Sequence, residues 1–219
     1  MAKAIQTADR IYAQSLDECV DSILATGDKI TTLVQGHMGT GKSSILKMLA
    51  SKLPDHVPCY FDGTTKDLGD LYLPKILADD SDQHYVKFVP NEEFGLHLGK
   101  PVILMFDEFG KMNPSVKNAC METLLNHKVG GKKLPEGSIV FGTTNLASDG
   151  VGDMLEAHAR NRVCFVTVRK PHAGFQPDGS IDADSWGAWA LENDIAPEVI
   201  AWVKQFPHAL ACYTDEAQK

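Results

Sequence analysis

Two kinds of apolar pattern alternate along the chain. Short runs rich in β-branched and aromatic residues occupy 30–35, 57–62, 101–108, 138–145 and 163–168, and they read as strands of a parallel sheet buried on both faces. Between them, apolar residues recur three and four apart. Ser15 and Glu18 form a capping-box signature ahead of a helix with Leu16, Val20, Ile23 and Leu24 on one face, stopping near Gly27. Ile45, Leu46, Leu49 and Leu53 predict a helix over 43–52, and 155–162 reads as a helix and its end. Asn113 followed by Pro114 opens another, with Val116, Ala119, Cys120, Met121, Leu124 and Leu125 inward. Strands alternating with helices predict an α/β fold around a parallel sheet.

Other stretches carry weaker patterns. Residues 64–77 read as helical in parts, with Asp67, Asp70 and Lys75 exposed; 79–82 reads as a solvated acidic turn, and 85–89 as a short extra strand ended by Pro90. Residues 129–135 predict a small hairpin around Gly130-Gly131. Its Lys132 and Lys133 are either solvated or contacts for a partner or nucleic acid. A Pro- and Gly-rich linker over 171–180 precedes two short helices, 181–192 and 196–206. Trp186, Trp189, Ala190, Ile195, Val199, Ile200 and Trp202 give these an apolar face, for packing or, on the alternative reading, for stacking on bases. The expected division is 1–170 as a core and 171–219 as linker and partial helical lid. No internal repeat is visible.

Composition narrows the function classes. A net charge of -8 argues against a general nucleic-acid coat, though not against a local basic patch. The five cysteines, Cys19, Cys59, Cys120, Cys164 and Cys212, form no C-x-x-C pair and read as buried reduced thiols. No histidine belongs to H-E-x-x-H, and Glu156 and His158 point apart on a helix. The first residues lack a basic segment followed by an apolar one, and no apolar run approaches membrane-spanning length, so a cytoplasmic location is expected and no membrane partner.

The chemistry concentrates at strand ends. Gly36-His37-Met38-Gly39-Thr40-Gly41-Lys42-Ser43 satisfies G-x-x-x-x-G-K-[ST] between a predicted strand and a predicted helix that Ser44 continues. That arrangement brings backbone N–H groups and a helix N-terminus onto an anion. Lys42 is placed to reach β- and γ-phosphates, and the Ser43 hydroxyl to ligate Mg2+. Five apolar residues, 102–106, then lead to Asp107 and Glu108. Asp107 suits a Mg2+ shell and Glu108 suits activation of water. Asn145, ending the strand over 138–145, is placed to bond the γ-phosphate and the attacking water, or else is a turn cap. An arginine beside the last strand, Arg160 or Arg162, serves a neighbouring subunit's phosphate or is a surface cation.

These motifs, in this order, resemble AAA+ ATPases of the MoxR-type branch. The likeness rests on the phosphate loop, on Leu104-Met105-Phe106-Asp107-Glu108-Phe109, on Val140-Phe141-Gly142-Thr143-Thr144-Asn145, on Ala159-Arg160-Asn161-Arg162-Val163 and on Trp186-Gly187-Ala188-Trp189-Ala190. The resemblance implies a three-layer αβα P-loop sandwich with strand order 5-1-4-3-2, ATP and Mg2+ as ligands, and Asn145 as the first nucleotide sensor. It implies Arg162 as the arginine finger, with Arg160 second. It further implies a homo-oligomeric ring, usually hexameric, that remodels a protein partner, often one with a von Willebrand factor type A domain. The family's second sensor arginine has no counterpart, since no arginine follows Arg169, and only the beginning of the helical lid is expected before Lys219. The expected function is a Mg2+-dependent, chaperone-like ATPase. The alternatives are a DNA-associated motor or helicase loader, and a nucleotide-dependent scaffold that does not hydrolyse.

Overall fold

The structure is a computed structural model describing residues 13–81, 83–146 and 157–210. Arg10, Asp82, Leu155, Glu156 and Cys212 lie outside the described residues. In chain order the elements are β1 (Ala13–Gln14), α1 (Leu16–Thr26), β2 (Thr32–Gln35), α2 (Ile45–Lys52), β3 (Val57–Asp62), β4 (Tyr72–Ala78), β5 (His84–Pro90), β6 (Val102–Asp107), α3 (Pro114–Asn126), β7 (Lys128–Val129), β8 (Lys132–Lys133), β9 (Ile139–Thr144), α4 (Ala157–Arg160), β10 (Cys164–Val168), α5 (Trp186–Glu192) and α6 (Pro197–Gln205). Single 3-10 turns join several of them.

The central sheet is parallel throughout, in the order β1-β10-β2-β9-β6-β3. Counting only the five predicted core strands, this is 5-1-4-3-2. The added edge strand β1, which the weak pattern before Ser15 does not announce, pairs with Thr167 and Val168. Strand alternation sorts the core into two layers. Leu33, Leu104, Phe106 and Val140 face α3 through Val116, Cys120 and Leu124. Val34, Ile103, Met105 and Phe141 face α1 and α2 through Val20, Ile23, Ile45 and Leu49. A sheet covered on both sides explains why β6 and β9 are buried at every position.

The α1 capping box forms as predicted: Glu18 N donates to Ser15 Oγ at 3.2 Å and Ser15 N to Glu18 Oε2 at 2.7 Å. Glu18 also takes the Arg169 guanidinium at 2.9 Å. The outer strand β3 turns alternate residues inward. Val57 N donates to Pro101 O at 2.9 Å, so the next residue, Pro58, directs its donorless nitrogen away from the sheet.

Several expectations need correction, among them the helix expected over 181–192, which begins only at Trp186 behind its Ser185 cap. Residues 72–78 are not helical but pair antiparallel with β5 from Tyr72↔Pro90 to Ala78↔His84. The helical spacing there is overridden by hairpin closure: Asp79 Oδ1 accepts from Ser81 N and Gln83 N, and Asp79 N donates to Gln83 O. The core strand expected over 30–35 begins only at Thr32, and Ile30 is exposed. Cys19, Cys59 and Cys120 are buried, but Cys164 is exposed. Trp189 and Trp202 are about half exposed (50% and 54%), Trp202 lying against Phe206 with ring centroids 5.8 Å apart, while Gly187, Ala190 and Val203 supply the buried positions of their helices.

Candidate functional site

The phosphate-loop pattern sits where β2 leaves the sheet. Gly36 N donates to Thr144 O at 3.2 Å, fixing the loop's origin to the end of β9. Gly39 and Gly41 adopt φ of 76° and 81°, a region that side-chain-bearing residues avoid. Thr40 Oγ donates to His37 O at 2.9 Å and Ser44 Oγ to Gly41 O at 2.7 Å, which closes the loop on itself. Residues 42–44 form a 3-10 turn, so the predicted helix begins at Ile45 rather than at 43. Lys42 is buried and folds back across the loop, donating to Gly36 O at 2.9 Å, His37 O at 2.8 Å and Asn145 Oδ1 at 3.1 Å.

Asp107 ends β6 and is buried. Its Oδ1 accepts from Thr143 Oγ and from Glu108 N at 3.0 Å; its Oδ2 accepts from Ser43 Oγ at 3.1 Å and Tyr60 Oη at 2.9 Å. All four partners are donors, as many as a carboxylate accommodates. Burial first, and then the bond to Asp107, push the Tyr60 hydroxyl up to about 12, so it remains a donor.

Glu108 adopts φ 51°, a left-handed conformation costing a non-glycine residue about 1 kcal/mol. Its Oε2 accepts from Asn145 Nδ2 at 3.1 Å and pairs with Lys111 Nζ at 2.8 Å. A continuous polar chain therefore runs Lys42–Asn145–Glu108–Lys111. Asn145 is buried, with one end of its amide on the loop lysine and the other on the acid.

Arg160 and Arg162 are not in this cluster. Both are exposed, and Arg162 Nη2 donates to Asn126 Oδ1 at 3.0 Å, at the C-terminal end of α3. Cys164, two residues on, pairs with Thr32 at the start of β2, whereas the phosphate loop follows the end of that strand. At 3.3 Å per residue the two edges of the sheet lie about 15 Å apart.

The donor set fits a nucleotide with Mg2+. Nothing lies within 4 Å of where a Cβ on Gly39 would stand, leaving the loop open to oxygens. Ser43 and Asp107 offer hard oxygen ligands from two elements, side by side. Among the described residues no cluster of three or more His, Cys, Asp or Glu side chains is arranged to hold a metal.

The model of the ATPase family associated with various cellular activities (AAA) matches residues 32–167, well over half of the chain. The chain belongs to the AAA family. Its matched region in this AAA protein runs from β2 through β10 and includes the loop lysine, both acids and Asn145. No curated protein matches the sequence. Among solved structures, it is similar to an ATPase candidate from Cytophaga hutchinsonii, at 15% identity and a TM-score of 0.48 over 90% of this chain and 54% of that one. It is also similar to two variants of RuvB from Thermotoga maritima, each at 16% identity over 74% of this chain and 50% of theirs, with TM-scores of 0.45 and 0.43. The chain thus spans about half the length of these structures. No helix among the described residues is long and apolar enough to cross a membrane.

Three residues of the cluster carried no signal of their own in the sequence: Tyr60, Thr143 and Lys111. Thr143 and Lys111 are near neighbours of recognised residues. Tyr60 reaches Asp107 only through the pairing of β3 with β6, which no local pattern encodes.

Proposed function

We propose that this AAA domain is a Mg2+-dependent ATPase of the MoxR-type branch, working as a homo-oligomeric ring of hexameric type to remodel a protein partner. The observation that carries the reading is the Lys42–Asn145–Glu108 chain beside the Ser43–Asp107 pair. On this reading 1–170 is the nucleotide-binding core and 171–219 a linker and partial helical lid.

The backbone N–H groups of His37, Met38, Gly39, Thr40 and Gly41, and that of Ser43, receive phosphate oxygens, while Gly36 N and Ser44 N hold the loop's shape on Thr144 O and Gly41 O. Lys42 exchanges its carbonyl partners for β- and γ-phosphate oxygens and lets go of Asn145. Asn145 then turns its amide to the γ-phosphate and the attacking water. Glu108, relieved of that amide, accepts the water's proton as the bond to the γ-phosphorus forms and that to the leaving ADP oxygen breaks. Ser43 and Asp107 hold the metal ion, which when bound neutralises charge on the phosphates. Arg162, at the far edge of its own sheet, serves the γ-phosphate of a neighbouring subunit, with Arg160 as the second candidate.

Turnover per subunit rises with protein concentration on this reading, because each site borrows an arginine. Constant turnover down to a proven monomer sinks the shared site. Glu108→Gln in ATP retains nucleotide, and a pull-down with it captures the protein partner, for which a von Willebrand factor type A domain is the expected hallmark. DNA-stimulated hydrolysis with salt-sensitive DNA binding replaces this reading with a nucleic-acid motor. Partner capture that persists although the unmutated chain never hydrolyses ATP replaces it with a scaffold.

A further inference from the structure

We propose that Tyr60 is a positioning residue that keeps Asp107 aimed at the metal independently of Ser43; the inference rests on the Mg2+-ATPase reading. Tyr60 lies on the outermost strand of the sheet, in register with Met105. Asp107 is its diagonal neighbour two residues on, on the same face, a separation that a long aromatic side chain spans. The ring is about half exposed (49%), whereas Cys59 and Phe61 on either side are buried in the core. Packing therefore does not account for a tyrosine here: phenylalanine would cover the same surface, and the hydroxyl is the part engaged, at 2.9 Å from Asp107 Oδ2.

The division of labour around Asp107 gives that hydroxyl a purpose. Its Oδ1 is held by Thr143 Oγ and Glu108 N, neither of which is a metal ligand. Its Oδ2 is held by Ser43 and Tyr60. Ser43 would hold the metal through an oxygen lone pair, so its bond to Oδ2 would move with the metal. Tyr60 then remains as the fixed donor on that oxygen, setting the carboxylate's rotation. Asp62 stands in register with Asp107 at the neighbouring strand tip, and like charges directly opposite repel, so an unrestrained Asp107 is pushed out of line. Hydrogen-bond partners behind a metal-holding carboxylate tune metal affinity by about 10- to 100-fold.

The test is equilibrium binding of a fluorescent ATP analogue to the full chain, first in EDTA and then across a Mg2+ titration. Tyr60→Phe keeps the wild-type affinity in EDTA and needs about 10-fold more Mg2+ to reach its half-maximal gain in affinity. Its melting temperature without Mg2+ matches that of the wild type, which separates positioning from folding. Asp107→Asn, measured alongside, loses the Mg2+ response altogether. An unchanged Mg2+ midpoint in Tyr60→Phe overturns the proposal while leaving the ATPase reading standing, as does a loss of affinity equal in EDTA and in Mg2+. A wild-type chain that binds no nucleotide, or binds it without any response to Mg2+, overturns the ATPase reading and this proposal with it.

Discussion

The two edges of the central sheet are built on opposite terms. At the edge where the strands end, Lys42, Asp107, Thr143 and Asn145 are all buried, and they bond to one another, to Ser43, Tyr60 and Glu108, and to the loop carbonyls of Gly36 and His37. At the edge where the strands begin, Arg162 is exposed and its guanidinium donates to a side-chain amide, that of Asn126. Thr31 and His127 share this second edge: Thr31 Oγ donates to Leu124 O at 2.5 Å, and His127 takes the left-handed cap of α3 at φ 51°. The first edge is closed throughout, whereas the second is closed at Thr31 and leaves Arg162 exposed. A buried lysine and carboxylate are oriented by neighbours that are fixed with them, whereas an exposed guanidinium stays accessible to solvent and to other molecules.

Separating the edges onto different chains tests that contrast most severely. Arg162→Ala lowers turnover about 10³-fold with ATP binding retained, and Lys42→Ala removes binding. Mixing the two variants restores activity, because one retains the loop and the other the arginine. Absence of any recovery, in a mixture that co-assembles, breaks the contrast. A smaller effect sharpens the closed edge from within. Lys111 and Glu108 form a partly exposed pair, 42% and 33% exposed, of a kind worth about 0–1 kcal/mol. Releasing Glu108 by Lys111→Ala raises turnover by no more than about fivefold, seen in steady-state kinetics; a loss greater than tenfold gives Lys111 an essential role instead.

The smallest effect belongs to the second edge. Burial lowers the pKa of His127, with Asp28 pulling the other way. Its folded value therefore lies below the unfolded value of about 6.5. The stability this neutral histidine contributes is complete above that unfolded value and is lost as pH falls toward and through the folded one. Urea midpoints thus decline between pH 7 and pH 5. His127→Asn, which keeps a residue tolerant of the left-handed region, makes that decline shallower; an identical slope in both proteins refutes the assignment.

How far the sequence carried depended on whether the determinant was local. The phosphate loop, the Ser15 and Glu18 box, Pro114 behind Asn113, and the apolar run into Asp107 and Glu108 all write their structure within a few residues, and each stands where the pattern put it. The segment over 72–78 does not, because its partner strand and the Asp79 turn decide between helix and hairpin. Trp189 and Trp202 fall on helices as expected yet stay half exposed, since helical spacing reports a face and not what covers it. Tyr60 on Asp107 and Arg169 on Glu18 join residues 47 and 151 positions apart. Such contacts follow from strand order and register, which emerge only when the whole sheet is assembled.

Pro58 carries a consequence of its own for how copies of this chain can meet. The outer strand would otherwise present a regular ladder of free amides, an open template on which a foreign strand could crystallise residue by residue. With one rung missing at Pro58, the template is defective at its first outward amide, and the sheet has a finished hem instead of a growing front. Copies that associate are steered away from sharing a sheet, and the strand bearing Tyr60 keeps its margin clear for solvent and ions.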